Sequence, residues 1–446
     1  MSKSNNSNNR RDFLKASGVL AAGSLINSPQ ATAATQSPSP SKPTITGGTQ
    51  SKFPSADAPG SRDGGYNFVF ILTDQEQYMG SGWPVSLPGH ERLKRDGMYF
   101  ENHHINADMC SASRAVIYTG LHMPQNGIFD NAGVPYMKSL SPKLPTIGKA
   151  LRKIGYYPAY KGKFHLNAAM ATENHPSEIK SLFESVMDKD YGFYDYTGVG
   201  DFIEGALGGY QYDAITAAQA IQWLKSQGQT MASQRQPWFL AVNLVNPHDV
   251  MWVDTEAGGK DNQRKQAMLE IAPVPKDKNY AKQWNNIPLS ATWKQSLDAP
   301  GRVPAHRIYH DANAYLTGMI PDDEKAVRLR QNFYFNSIQA VDEQINRVLN
   351  TLDDLGLTEN TIIIFTSDHG ELLSSHGGLT GKGTTTYREQ NHVPMIVVHP
   401  QYQGNRSCKE LTCHLDIFPT IIGMTRKDKQ PVAEMMKPLK GRDISA

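Results

Sequence analysis

Four stretches of the chain are almost unbroken in apolar character, and helical spacing fills the intervals between them. They are Asn67-Phe68-Val69-Phe70-Ile71-Leu72-Thr73, Trp238-Phe239-Leu240-Ala241-Val242-Asn243-Leu244-Val245, Thr361-Ile362-Ile363-Ile364-Phe365-Thr366 and Pro394-Met395-Ile396-Val397-Val398. Short runs of this kind predict strands covered on both faces. Between the second and third, Ile338, Val341, Ile345, Val348, Leu349 and Leu352 recur on one helical stripe, with Gly356 placed to stop it. Thr146 to Ile154 and Ala214 to Leu224 share the spacing more weakly. Helices alternating with buried strands predict an α/β fold, its sheet covered on both sides.

Ligand groups in such sheets gather beyond the carboxyl ends of the strands. The first run is followed by Asp74-Gln75-Glu76, the second by Asn246-Pro247-His248-Asp249, and the third by Ser367-Asp368-His369-Gly370-Glu371. Asp74 and Asp368 can bring two carboxylates onto one cation, with Gln75 and His369 as further ligands. An oxygen-rich set favours calcium, magnesium or manganese, and the imidazole moves the balance toward manganese. Each tetrapeptide alone reads equally well as a turn capped by Asp; their recurrence at matching strand ends favours the metal. Cys110 stands in Ala107-Asp108-Met109-Cys110-Ser111-Ala112-Ser113-Arg114-Ala115, just before a helical stretch. A side chain there, with Arg114 one turn on, sits in a positive field suited to an anionic centre. Its polar neighbours set it apart from a thiol packed as a small hydrophobe.

Composition narrows the classes. The 446 residues are 39% hydrophobic and 20% charged, enough for a large core. Lys+Arg 45 against Asp+Glu 43 leaves a net charge of +2, which excludes nucleic-acid binding through bulk charge. No apolar run reaches the length of a membrane span, so no stable membrane insertion is expected. Three cysteines exclude a disulfide scaffold and a Cys-rich zinc module. Cys408 and Cys413 could pair after export or stay reduced, leaving Cys110 unpaired either way.

At the N-terminus, Arg10 and Arg11 precede a mild apolar stretch from Ala16 to Ile26, and Ala31-Thr32-Ala33 offers a small-x-small cleavage site. Residues 1–33 resemble a twin-arginine export signal, which implies the twin-arginine machinery as a partner and a periplasmic or secreted product. Residues 34–65 read as a flexible Ser/Pro/Gly-rich linker.

Cys110-Ser111-Ala112-Ser113-Arg114 resembles the sulfatase signature C-x-P/A-x-R, and further segments resemble that family in order. Leu72-Thr73-Asp74-Gln75 is similar to its first metal segment, Gly162-Lys163-Phe164-His165-Leu166 to its G-K-W-H-L element, and Asn246-Pro247-His248 to its A-P-H element. Ser367-Asp368-His369-Gly370-Glu371 is similar to the second metal segment, Gly381-Lys382-Gly383 to a later lysine element, and Val393-Pro394-Met395-Ile396-Val397 to the strand that follows. The resemblance spans roughly Tyr66 to Gly441. It implies the alkaline-phosphatase-like architecture, a large mixed, mostly parallel sheet between helices. The catalytic domain would be 66–400, with 255–330 a polar, irregular insertion beside the pocket. Leu415 to Thr420 and Leu439 to Arg442 resemble the junction before a small antiparallel C-terminal domain, so 401–446 reads as the start of a region that is short, missing or truncated.

The resemblance also implies roles. A cytoplasmic maturation enzyme would oxidise Cys110 to formylglycine, whose hydrate is the nucleophile. Asp74, Gln75, Asp368 and His369 would hold one divalent metal, calcium foremost, with manganese or magnesium as alternatives. Arg114, Lys163 and Lys382 would hold the sulfate oxygens of a small-molecule or carbohydrate sulfate ester. One of His165 and His248 would protonate the leaving alcohol, and the other would deprotonate the second hydroxyl of the hydrate. Gln75 and His369 stand where many sulfatases carry Asp and Asn, a combination closer to choline sulfatases and to phosphonate monoester or phosphodiester hydrolases. Ala112 replaces the signature proline, which narrows the maturation enzymes that could act. The alternatives are therefore a phosphorus-ester hydrolase on the same scaffold and, if Cys110 stays a thiol, a non-catalytic exported binding protein.

Overall fold

The computed structural model describes residues 65–445 apart from 81, 171–183, 199, 202–205 and 257–261. The expected signal peptide and the linker up to residue 64 lie outside the described residues. Seven strands form one sheet: β1 (Asn67–Asp74), β2 (Met98–His104), β3 (Tyr157–Gly162), β4 (Trp238–Pro247), β5 (Thr361–Ser367), β6 (Met395–Val398) and β7 (Arg406–Cys413). Their order is β3-β4-β1-β5-β6-β2-β7. The block β3, β4, β1, β5 is parallel. Only β6 is reversed, pairing antiparallel with β5 and β2, while β7 runs parallel to β2. The expected mixed, mostly parallel sheet is thus present.

The four apolar runs are β4, β1, β5 and β6, consecutive in the centre of the sheet. The strands their pattern did not reveal are β3, β2 and β7, toward the edges. The edge strand β7, RSCKELTC, is mostly exposed, whereas β3 and β2 are interrupted by polar or proline residues, Pro158 and Lys161 in one and Glu101 and Asn102 in the other. Cys408 and Cys413 both lie on it, five residues and therefore about 17 Å apart. A disulfide spans only ~4.4–6.8 Å between Cα atoms, so the pairing alternative falls and both are free thiols.

The main helices are α1 (Pro88–Asp96), α2 (Cys110–Thr119), α3 (Ile147–Lys153), α4 (Gly208–Trp223), α5 (Pro304–Thr317), α6 (Glu324–Asp354) and α7 (Ile417–Met424). The predicted stripe is the second half of α6, with Asp323 capping its start through Ala326 N at 2.8 Å and Gly356 just beyond its end at φ 64. Side chains along β1 alternate between two cores. Phe68, Phe70 and Leu72 pack with α2, α3 and α7 through Val116, Leu151 and Ile421. Val69 and Ile71 pack with α4 and α6 through Ala220, Val341 and Ile345. Each fully buried side chain of this size contributes roughly 1.5–3 kcal/mol, so helices clamp the sheet from both sides.

Residues 255–330 depart from the irregular segment expected, because they contain α5. Only Thr317 of this helix is buried, and its apolar Ile308 and Tyr315 are exposed. It rests on the chain ahead of β6, where Tyr309 Oη donates to the carbonyls of Thr380 at 2.7 Å and Lys382 at 2.8 Å. Beyond residue 400 the chain continues the same body, with β7 in the sheet and α7 in the first core.

One buried charge cluster ties α1 and α6 to the end of β1. Helix α1 starts without a capping side chain of its own. Its free N–H groups at Gly89 and His90 donate instead to Asp342 of α6, at 3.1 and 2.8 Å. The His90 ring lies between Asp342 (Nδ1 to Oδ1, 2.5 Å) and Glu76 (Nε2 to Oε1, 3.1 Å). Burial opposes its charge, but the two carboxylates outweigh burial and raise its pKa to about 10. A folded pKa above the unfolded value means that the stabilisation is full below about pH 6.5 and is lost as pH rises toward 10. The thermal midpoint is expected to fall over that window, and His90→Gln to be less stable at pH 6 with a flatter profile. Parallel wild-type and variant melting curves across this range would show that the ring carries no such charge.

Candidate active site

The parallel block brings four strand ends to one edge. In register, Thr73 lies opposite Ser367 and Asp74 opposite Pro247. Asp74, His248 and Asp368 therefore leave adjacent strands side by side, and Lys163 follows β3 next to them. Gly162 makes that last turn feasible: its φ is +89, and a Cβ there would lie 1.9 Å from Asn243 O. Cys110 enters on the first turn of α2. Ser111 and Ser113 fix this turn to the strand ends by donating to the carbonyls of His165 and Asp368.

At the centre, one donor atom from each of Asp74, Cys110, Asp368 and His369 lies within 4.8 Å of the others, all buried. His369 Nε2 is 3.2 Å from Cys110 Sγ, 3.4 Å from Asp74 Oδ1 and 3.5 Å from Asp368 Oδ1. The other ring nitrogen faces Gly370 O at 3.0 Å, which fixes the ring and leaves Nε2 to the centre. Cations occupy the far sides of the carboxylates. Asp74 Oδ2 accepts from Lys163 Nζ and, at 3.2 Å, from Arg114 Nη2. Arg114 Nε donates to Asp368 Oδ2 at 2.8 Å. Burial would raise the Asp74 carboxyl, but Lys163, His248, His369 and Arg114 together hold it well below the usual range. Burial and Asp74 also push the Cys110 thiol up; Lys163, Lys382 and His369 outweigh them and leave its pKa lowered.

The remaining expected residues surround this centre. Gln75, at φ 74, sends its amide between two groups, with Oε1 accepting from Lys382 Nζ at 2.7 Å and Nε2 donating to Glu371. Arg114, expected at the sulfate oxygens, makes its contacts here to the protein. It is fully buried, and besides the two aspartates it donates from Nη1 to Lys163 O at 3.0 Å and Asn243 Oδ1 at 3.3 Å. All three of its nitrogens are committed to the protein. His165 has neither ring nitrogen hydrogen-bonded, and His248 Nδ1 is likewise unpartnered. Burial first, then Lys163 and Arg114 for His165 and Lys382 for His248, lowers both pKa values. Two buried imidazoles thus keep unpartnered nitrogens beside buried lysines.

Several supporting residues were not among the candidates. Asp201 accepts from Phe164 N and His165 N, both at 2.7 Å, and Asp213 from Val245 N at 2.7 Å and Asn246 N at 2.9 Å. These carboxylates clamp the segments that carry Lys163, His165 and His248. Neither has a local sequence signal. Asn243 does: it is the one polar residue inside the β4 apolar run, and its Oδ1 receives both Arg114 and Tyr118.

Fold and centre define an α/β protein with a buried cluster of two carboxylates, an imidazole and a thiol at the strand ends, with lysines beside it. The chain belongs to the sulfatase family, whose profile matches residues 66–427. Residues 7–26 match the twin-arginine translocation signal, so the chain is exported to the periplasm or beyond. Among the described residues no helix is long and apolar enough to cross a membrane. The chain is similar to the uncharacterised sulfatase YidJ of Escherichia coli, 23% identical over 82% of this chain and 69% of that protein. It is also similar to an N-acetylglucosamine-6-O-sulfatase of Bacteroides thetaiotaomicron, 26% identical over 80% of this chain and 67% of that one. A phosphonate monoester hydrolase of Silicibacter pomeroyi shares the fold, with a TM-score of 0.55 at 21% identity over 85% of this chain and 76% of that one.

Proposed function

We propose that this exported sulfatase-family hydrolase cleaves sulfate esters to an alcohol and inorganic sulfate, using formylglycine made from Cys110 by a cytoplasmic maturation enzyme. The observation that carries this reading is the convergence of Cys110 with Asp74, Asp368 and His369 within 4.8 Å. The donor set fits a divalent cation. Two carboxylate oxygens and an oriented imidazole nitrogen come together, and Gln75 Oε1 is held by Lys382 Nζ at 2.7 Å. Asp74, Gln75, Asp368 and His369 would hold the ion, calcium foremost and manganese or magnesium next. When bound, it supplies positive charge that acidifies a hydroxyl at residue 110 and draws the sulfate oxygens. Formylglycine, an aldehyde, would add water to become a geminal diol: one hydroxyl attacks sulfur as the bond to the alcohol oxygen breaks, and loss of the proton from the other expels sulfate and restores the aldehyde.

The chain's own residues do the rest. Lys163 and Lys382 bind the sulfate oxygens and offset the charge that grows on them. Arg114 holds Asp74 and Asp368 at their spacing from behind. His165 and His248 divide the proton transfers: the one that carries a proton beside the anionic ester gives it to the departing alcohol oxygen, and the other, neutral, removes a proton at residue 110. Residues 66–400 would form the catalytic domain, with 255–330 beside the pocket as the segment that selects the alcohol.

The test has two parts. In protein from its native host, mass spectrometry of the tryptic peptide Asp96–Arg114 should show the mass loss of thiol-to-aldehyde conversion. A fully retained thiol would support the binding-protein alternative and end the mechanism. Turnover of 4-nitrophenyl sulfate should exceed that of a phenyl phosphonate monoester or an aryl phosphodiester. The Asp74-Gln75 with Asp368-His369 pairing is what keeps the phosphorus-ester reading open, and a strong preference for the phosphorus ester would establish it.

A further inference from the structure

Gln75 carries the one side chain of the proposed ligand set that can present two different atoms to the centre. Its amide offers an acceptor at Oε1 and donors at Nε2. Oε1 receives Lys382 Nζ at 2.7 Å, while Nε2 donates to Glu371 Oε2. Turned over, the amide would set N–H groups against an ammonium and an oxygen against a carboxylate.

Glu371 is completely buried and surrounded by donors. Its Oε1 accepts from Arg330 Nη2 at 3.0 Å, Leu373 N at 3.0 Å and Gly381 N at 2.9 Å. A carboxylate so placed has only acceptor capacity to offer Gln75 Nε2. It also bridges the two segments that must agree, because Gly381 directly precedes Lys382 and Glu371 follows Asp368 by three residues. Gln75 is further fixed along its backbone, with its N–H on Asp368 Oδ1 at 3.2 Å and its carbonyl accepting from Tyr334 Oη at 2.9 Å. With the backbone held, the amide's remaining freedom is the turn that Glu371 forbids.

We infer that Glu371 is a positioning residue that locks the Gln75 amide with Oε1 toward Lys382 and the centre, so that residue 75 meets a cation as an oxygen donor. The inference rests on the proposed cation site and adds to it a residue that touches neither substrate nor ion.

The test uses the mature protein and three variants, Glu371→Gln, Gln75→Glu and the double exchange. Each is chelator-treated, melted without metal, and then titrated calorimetrically with calcium chloride and, separately, manganese chloride. Gln75→Glu alone opposes two carboxylates across a hydrogen bond and should lower the metal-free thermal midpoint. The double exchange restores a donor at 371 facing an acceptor at 75 and should recover most of that loss. Glu371→Gln allows both amide orientations and should weaken cation binding about tenfold, the scale of other groups that orient metal ligands, while the double exchange, with a carboxylate oxygen at 75, should bind at least as tightly as wild type. If Glu371→Gln does not fold, Glu371→Gln with Arg330→Met removes the ion pair as a unit and gives the same readout. A Glu371→Gln protein that binds cation as wild type does, or a double exchange no more stable than Gln75→Glu, overturns the inference. Wild-type protein that takes up neither ion overturns the cation site instead, and the metal-free melting cycle then decides the orientation of Gln75 by itself.

Discussion

Cys110→Ala is expected to reduce kcat/KM for 4-nitrophenyl sulfate by about a thousandfold or more, the scale seen when a nucleophile is deleted from a working site. The thermal midpoint should hardly move. Cys110 Sγ is buried, and its polar neighbours are His369 Nε2 at 3.2 Å and Asp74 Oδ1 at 3.8 Å. Its removal leaves no new unpaired ion, because Asp74 keeps Lys163 and Arg114. The first turn of α2 is held by Ser111 and Ser113 rather than by residue 110. Lost activity with retained fold and retained affinity for a sulfate-ester inhibitor would fit a nucleophile. More than a tenth of wild-type turnover in the variant would remove Cys110 from that role, and with it the need for formylglycine.

How much of this could be read from residues alone depended on where each residue sits in the sheet. The central strands declared themselves because burial on both faces leaves only apolar residues tolerable. Once β1, β4 and β5 were identified, the carboxyl-edge rule led directly to Asp74, His248, Asp368 and His369. Lys163 and His165 were found only through the family's pattern, since β3 is an edge strand containing Pro158 and lacks an apolar run. The clamps were hidden for another reason. Asp201 and Asp213 act on backbone N–H groups far along the chain, and nothing in a local window marks an Asp whose partners are tertiary. Glu371 was in view inside Ser-Asp-His-Gly-Glu, yet its partners Arg330, Gly381 and Gln75 come from three separate segments. Helix α5 lies in a stretch otherwise rich in Lys, Asn, Asp and Pro, and its apolar Ile308 and Tyr315 are exposed rather than set in a core.

Arg114 is where the local pattern and the tertiary contacts suggest different roles, and it yields the largest expected stability effect. In the signature, an arginine one turn after the cysteine suggests a group reaching for sulfate. In the fold, its guanidinium forks between Asp74 and Asp368 and is capped by Lys163 O and Asn243 Oδ1. Arg114→Met should therefore destabilise the protein by about 3–5 kcal/mol, the cost of leaving one side of a buried ion network uncompensated, read as a fall in the urea midpoint at unchanged slope. Added calcium should narrow the gap to wild type and a chelator should widen it, because a divalent cation neutralises the carboxylates that the arginine no longer faces. Arg114→Lys should recover only part of the loss: an ammonium keeps the charge but cannot bridge two carboxylates in the planar fork that they require. If Arg114 instead bound sulfate, the Met variant would melt like wild type and lose only its affinity for sulfate esters, so the urea midpoint by itself distinguishes a residue that spaces the aspartates from one that holds the substrate.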